Sequence, residues 1–179
     1  MATVTGLTIE EFEQLPDALA HNHELVDGEL VDVSGNTGNH NGLRDALIEL
    51  LRPYVRDHVL GRIVAEQEFD FDGNAHGPDV SFFAPSKADL FDGERRVQRF
   101  VPDLAIEIVS QNDKFDALFA KVLRYRRCGT REVLIFSIQT RQVFLYSDQP
   151  TVVLDENQEF HPEQIPGFSI RIGDLFGMI

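Results

Sequence analysis

Two carboxylates stand where an ordinary core would exclude them. Asp79 follows Pro78 at the mouth of the apolar run Val80–Phe83, and Glu107 interrupts the apolar run Leu104–Val109. Short runs of β-branched and aromatic residues suit central strands. An ionised carboxylate in such a strand is costly unless it is paired or binds a cation. Alternation places Glu107 on the face of Ala105 and Val109 while Ile106 and Ile108 take the other, so its carboxylate projects from one face only. If the two runs are neighbouring strands, Asp79 and Glu107 could share one hard divalent ion, with a backbone carbonyl and waters completing an octahedron. The alternative is structural: Asp79 caps the start of its strand and Glu107 meets an Arg or Lys partner. Lys121, fourteen residues after Glu107, lies on the helix that follows. From there its ammonium could reach back over the sheet, orient or activate a water and stabilise negative charge developing at a phosphate. Taken singly it is a surface lysine in a basic run.

Other polar residues carry less. His40 opens a helix, where it could contact an anion, and Gln67 shares the apolar face of a strand. His76 lies in the turn before Asp79, and His21 and His23 lack the i, i+4 spacing of a helical zinc pair. Cys128 has no evident activating base. Glycines 35, 38 and 42 precede no GK[ST] and no dinucleotide-binding context, and no serine sits in a nucleophile elbow. A nucleoside-triphosphate enzyme, a Rossmann dehydrogenase and a serine hydrolase are disfavoured.

The elements that must position these residues follow from periodicity. Thr8 with Glu11 forms a capping box, so a short helix begins after Thr8 and ends near Pro16 and Asp17. His23–Val33 reads as a hairpin turning at Asp27-Gly28. Ser34–Asn39 is a loop. Leu43, Leu47, Leu50, Leu51, Tyr54 and Val55 then mark an amphipathic helix over His40–Leu60, kinked at Pro53 and stopped by Gly61. Ile63, Ala65, Gln67, Phe69 and Phe71 alternate as one half-buried strand over Arg62–Phe71. Pro85–Arg99 is polar, charged and expected to be mobile. Phe115, Leu118, Phe119, Val122, Leu123 and Tyr125 predict a helix over Asp113–Cys128, closed by Gly129. Glu132–Ile138 and Gln142–Ser147 form a further hairpin, and the tail adds a strand and a short turn. The order is that of a mixed α/β chain, and 179 residues with 42% apolar content suit one domain over 1–179.

Composition narrows the function class. Apolar runs such as Val133–Phe136 fall far short of the roughly 18 residues of a membrane span, and the acidic N-terminal segment does not read as a secretory signal. No membrane association and a cytoplasmic location are expected. A single cysteine precludes an intrachain disulfide and a cysteine-rich zinc site. The net charge of −14 argues against coating nucleic acid. That charge is uneven: residues 1–70 carry 4 bases and 14 acids, 71–131 carry 10 and 9, and 132–179 carry 2 and 7. Within the middle segment, Lys121, Arg124, Arg126, Arg127 and Arg131 form an acid-free run, and Arg95, Arg96 and Arg99 a second. These are either solvated charges or a local phosphate-binding surface on an acidic body.

In order along the chain, TIEEF, HELVDGELVDVS, GPDVSFF, PDLAIEIVS and a K-x-x-x-Y before Gly129 form a pattern. It resembles the Uma2 family of restriction endonucleases, a branch of the PD-(D/E)XK nuclease superfamily, over roughly residues 8–138. The resemblance implies a restriction-endonuclease-like three-layer α/β core with a mixed central sheet flanked by helices, residues 139–179 completing it. It further implies metal-dependent hydrolysis of DNA phosphodiester bonds. Asp79 matches the aspartate of the PD motif, Glu107 the second acid, Lys121 the lysine moved to the following helix, with Tyr125 one turn later. Glu24 matches the family's early acid and would complete the metal site. Mg²⁺ is the implied cofactor, with Mn²⁺ able to substitute, and DNA would engage the local basic patch. The chain departs from the pattern at Val109, which stands where the superfamily lysine usually does, and at Gln111, where a proline usually follows Ser110. The alternative is a catalytically inactive nuclease-like module that associates with DNA or protein; Val109 favours it and Lys121 opposes it. A homodimer is a further expectation, since two-fold symmetry matches a duplex.

Overall fold

Thr8 caps α1 (Ile9–Glu13) as its spacing requires: its hydroxyl accepts from the Glu11 amide at 3.2 Å while its own amide donates to the Glu11 carboxylate at 2.9 Å. These residues belong to a computed structural model that describes residues 6–34, 36–109 and 114–179, so Gly35, Ser110, Gln111 and Asp113 lie outside the described residues. After α2 (Asp17–Ala20), β1 (His23–Val26) and β2 (Glu29–Asp32) pair antiparallel around Asp27 and Gly28. Both turn residues have positive φ, 51° and 83°, as a two-residue hairpin demands. Helix α3 (Gly38–Asp57) starts two residues before His40 because the Thr37 hydroxyl accepts from the His40 amide at 3.2 Å. It runs through Pro53 without ending.

The alternating segment after α3 divides in two. β3 (Arg62–Ala65) and β4 (Glu68–Asp70) belong to different sheets, because Glu66 between them takes a left-handed conformation, φ 51°, and redirects the chain. Gln67 leaves the apolar face as well; its side-chain amide donates to the carbonyls of Glu68 and Arg96, at 3.1 and 2.6 Å. Alternation alone cannot reveal such a break, since one left-handed residue leaves the residue pattern untouched. β5 (Ala75–His76) and β6 (Val80–Phe83) follow.

The polar stretch 85–99 is more ordered in its bonding than its composition suggests. It holds a 3₁₀ turn (Pro85–Leu90) and β7 (Val97–Gln98), whose two residues are buried. The Gln98 amide makes up for the missing apolar residues by bonding the backbone of Asp92, at 3.0 and 2.8 Å, and of Arg95 at 3.0 Å. Then come β8 (Leu104–Val109), α4 (Phe115–Cys128), β9 (Glu132–Ser137), β10 (Gln142–Tyr146) and β11 (Val152–Leu154). The tail adds β12 (Glu159–Phe160), β13 (Ile170–Arg171) and α5 (Ile172–Phe176), more than the one strand and turn its sequence signals.

Six strands form the central sheet in the order β11-β10-β9-β8-β6-β3, with β8 and β9 parallel and the other neighbours antiparallel. A parallel pair needs a long crossover, and α4 is that crossover. One face of the sheet, with Val80, Phe82, Ile106, Ile108 and Leu134, packs on α3 and on Phe160, Phe168 and Leu175 of the tail. The other face, with Phe83, Ala105, Val133 and Ile135, packs on Val122 and Tyr125 of α4 and on Phe69 and Phe71. A second sheet, ordered β2-β1-β5-β4-β7, lies with α1 over a third apolar cluster. The expected three-layer mixed α/β architecture is thus realised. Helix α4 buries a narrower stripe than its periodicity implies: Val122 and Tyr125 are enclosed, while Phe115, Phe119 and Leu123 are exposed. Among the described residues no helix is long and apolar enough to cross a membrane.

Gly61 sets the close approach of α3 to the sheet. Its φ is +146°, and a Cβ there would lie 2.2 Å from the Phe83 carbonyl oxygen and 3.0 Å from the Ala84 Cα. Both obstacles are backbone, so relief requires moving β6, the strand that Asp79 precedes. Gly61→Ala is expected to destabilise the fold by about 2 kcal/mol or more, read as a lower urea midpoint at unchanged slope.

Candidate active site

The sheet register decides whether the two strand carboxylates can cooperate. Val80 faces Ile106 and Ser81 faces Ala105 across the antiparallel β6–β8 pair, a register that sets Asp79 opposite Glu107 on the same face. Asp79 Oδ2 accepts the Ile108 amide at 2.7 Å, tying the start of β6 to β8. Its Oδ1 lies 3.2 Å from His40 Nε2, so the first turn of α3 delivers His40 to this site. Asp79 therefore also serves the strand-capping role open to it, and both carboxylates are buried.

Helix α4 answers Glu107 from above. Tyr125 OH donates to Glu107 Oε1 at 2.7 Å, and Lys121 Nζ donates to Oε2 at 3.2 Å. The two donors are four residues apart on α4, so they point from the same side of the helix. Lys121 also reaches Glu24 Oε1 on β1 at 2.9 Å. Both oxygens of Glu24 have further partners: Oε1 accepts the Gly77 amide at 3.0 Å and Oε2 lies 2.8 Å from His76 Nδ1. Beyond His76, Arg124 Nη1 stands 3.1 Å from Nε2, and Nη2 donates to both oxygens of Asp27 at 2.9 and 3.1 Å.

These contacts set the charge states. Burial pushes the Glu107 carboxyl up to about 7; the Lys121 charge opposes this, and the negative charges of Asp79 and Glu24 add to it. Glu24 goes the other way, to about 2, because Lys121 and His76 together outweigh the burial that would raise it. For Lys121, burial alone would favour the neutral amine, but Glu107 and Glu24 hold its pKa well above the usual lysine value. Burial lowers the His76 pKa, and the nearby Lys121 and Arg124 charges add to that.

Glu24, His40, His76, Asp79, Glu107, Lys121 and Arg124 are among the residues that line a cleft of about 1180 Å³. The structure thus brings together Asp79, Glu107, Lys121, Glu24, His40 and Tyr125. Gln67 is not among the cleft-lining residues. His76, Arg124 and Asp27 join the network without a strong sequence signal, since the sequence reads each as part of a turn or a basic run, although His76 lies on β5, and their partners are 48 to 97 residues away. The two basic runs are divided: Arg95, Arg127 and Arg131 are exposed, whereas others are engaged by acids. Arg124 holds Asp27, Arg126 holds Asp148, Arg96 holds Glu68, and Arg99 holds Glu10 and Glu13. Some of the acids that make both ends of the chain negative thus fold back onto the basic middle.

Among the described residues no three His, Cys, Asp or Glu side chains form a preassembled metal cage. The donor chemistry nonetheless suits a hard divalent ion. Two facing carboxylates supply the one or two acidic ligands that Mg²⁺ takes, with waters filling its other positions. Glu24 and Glu107 share the Lys121 ammonium while Asp79, also buried, faces His40, so three carboxylates surround one lysine charge and a cation would offset the excess.

A family model described as "Putative restriction endonuclease", named Uma2, matches residues 9–173, well past the end of the segment that resembles it by motif. No curated protein matches the chain. Among solved structures, one from Anabaena variabilis ATCC 29413, described as "a putative nuclease belonging to DUF820", superposes with a TM-score of 0.84. It is 22% identical, and the alignment covers 96% of this chain and 98% of that one. At that identity the likeness establishes the fold.

Lys121 is the central counter-charge, so Lys121→Met should cost about 3 kcal/mol or more at pH 8 by leaving Glu24 and Glu107 unpaired in the interior. Without the ammonium, Glu107 loses the charge that opposes its burial, so its folded pKa, already raised to about 7, rises further. A raised folded carboxylate pKa favours folding at low pH and disfavours it as pH rises through that pKa. The deficit of the variant should therefore shrink between pH 8 and pH 5, measured by urea melts at both.

Proposed function

The chain belongs to the Uma2 family of "Putative restriction endonuclease" proteins, and from that premise we propose that it is a metal-dependent endodeoxyribonuclease hydrolysing DNA phosphodiester bonds. The observation that carries this reading is the register-opposed pair Asp79 and Glu107 with the Lys121 ammonium on Glu107.

In this reading Asp79 and Glu107 hold Mg²⁺, or Mn²⁺ in its place. The ion supplies Lewis-acid polarisation of the phosphate and a lowered pKa for bound water. Lys121 remains an ammonium beside its two carboxylates, so it donates hydrogen bonds and does not take a proton. Two of its three N–H groups face Glu24 and Glu107, and the third is left for a water or a phosphate oxygen. Its charge then opposes the negative charge that grows as the phosphodiester is attacked. Tyr125 fixes the Glu107 carboxylate through Oε1, and the Ile108 amide fixes Asp79 through Oδ2. Glu24 already serves Lys121, Gly77 and His76, so we assign it to holding the lysine in preference to the ion. His40 positions Asp79 from α3. With most arginines of the basic run paired to acids, binding of DNA should be weak and salt-sensitive.

Purified protein should nick or cut plasmid DNA with Mg²⁺ or Mn²⁺. Asp79→Asn and Glu107→Gln should each lower the rate by about 100-fold or more with the circular-dichroism spectrum and melting curve of a folded protein. Cleavage that survives in both variants would sink the assignment. Val109 in the usual lysine place is the feature that favours the inactive-module reading. Calorimetric titration separates the two, since absence of Mg²⁺ and Mn²⁺ binding at millimolar concentration would support the module.

A further inference from the structure

We propose that His76 and Arg124 are positioning residues that set the place of the Lys121 ammonium through Glu24. The proposal rests on the reading of Lys121 as the charge-stabilising group of the nuclease site.

The tautomer of His76 follows from its neighbours. A guanidinium has only donors, so the 3.1 Å contact of Arg124 Nη1 with His76 Nε2 requires a lone pair on Nε2. The proton of a neutral imidazole is then on Nδ1, which donates to Glu24 Oε2 at 2.8 Å. Arg124 is held in turn by both oxygens of Asp27 in the β1–β2 turn. The ring of His76 meets the Tyr125 ring edge-on with centroids 5.6 Å apart, so its plane is set by the residue that also holds Glu107. A continuous chain thus runs from the exposed Asp27 through Arg124, His76 and Glu24 to Lys121.

Its direction matters. Glu24 offers Oε1 to Lys121 and Oε2 to His76, and rotating the carboxylate to favour one would break the other. Lys121 has a four-carbon stem with rotatable bonds, and only fixed acceptors can hold its ammonium in one place. A buried ionic network is a poor source of stability against apolar replacement. It is effective at restricting a polar group to one geometry, and a displacement near 1 Å at a reacting centre can cost about 100-fold in rate.

The test uses the full chain and two readouts. First, ¹⁵N NMR of the imidazole should show His76 as the neutral Nδ1–H tautomer at pH 7, and the Lys121 Nζ resonance should shift, or exchange its protons faster, in His76→Ala and in Arg124→Met. Second, on plasmid DNA with Mn²⁺, both variants should lower kcat by about tenfold or more with KM within about twofold. His76→Asn, whose side-chain amide can offer an N–H toward Glu24, should recover most of the loss. A His76 that carries its proton on Nε2 or on both nitrogens, or a Lys121 signal unmoved in the folded variants, would overturn the proposal. If His76→Ala fails to fold, Arg124→Met decides alone, since Arg124 lies at the edge of the network. A wild-type protein inert on DNA whose Lys121 signal still responds would support the positioning and overturn the nuclease reading, so the two fail separately.

Discussion

The site hangs on one electrostatic constraint: Glu107 is an ionisable group in the middle of a central strand, enclosed on the α4 face of the sheet. Little water reaches it at the floor of the cleft, so protein groups must supply most of its solvation, and the available ones come from α4. That requirement fixes which face α4 presents and why Tyr125 is fully buried although its hydroxyl is polar. It also explains the parallel β8–β9 pair as more than topology. The crossover between those strands is the element that returns a lysine and a tyrosine over the carboxylate. Lys121 then introduces its own requirement, a second anion, which β1 meets with Glu24. The smaller sheet is held to the larger one partly by this ion pair.

Charge is organised at a finer scale than the segment totals imply. Part of the acid excess of residues 1–70 is taken up within the molecule: Glu10, Glu13, Asp27 and Glu68 are partners of arginines from the middle of the chain. What remains concentrated is the set of buried carboxylates around one ammonium. Surface pairs of this kind add little stability each. Their effect on function is to remove guanidinium groups from competition for phosphate. A protein built this way is poorly suited to coating DNA, and in the proposed nuclease reading a phosphodiester would be engaged by what the cleft itself supplies.

The same network joins parts of the chain that differ in what fixes them. Asp79 and Glu107 are placed by backbone register, and Asp79 further by the hydrogen bond it accepts from the Ile108 amide, so the separation of their backbones is a property of the sheet. Lys121, Glu24, His76 and Arg124 are locked by side-chain contacts across two sheets and a helix. The first pair is therefore rigid, whereas the second group is as sensitive as its weakest contact, and Asp27 at its far end is exposed to solvent.

Local chemistry written in the sequence determined a good part of this. Capping at Thr8, the Asp27-Gly28 turn, the strand runs and the odd carboxylates at 79 and 107 are all readable because each depends on neighbours one to four residues away. Alternation also determined that Glu107 shares a face with Ala105. Only the tertiary structure decided that Arg62–Phe71 breaks at Glu66, that α4 leaves Phe115, Phe119 and Leu123 exposed, and that the basic run is dispersed among distant acids. Likewise Gln67 and His76 exchanged expected importance: one bonds two backbone carbonyls and does not line the cleft, the other links Glu24 to Arg124. The reason is common to all of these. A side chain's partners across 48 or 97 residues are set by how sheets and helices pack, and no periodicity along the chain encodes that distance.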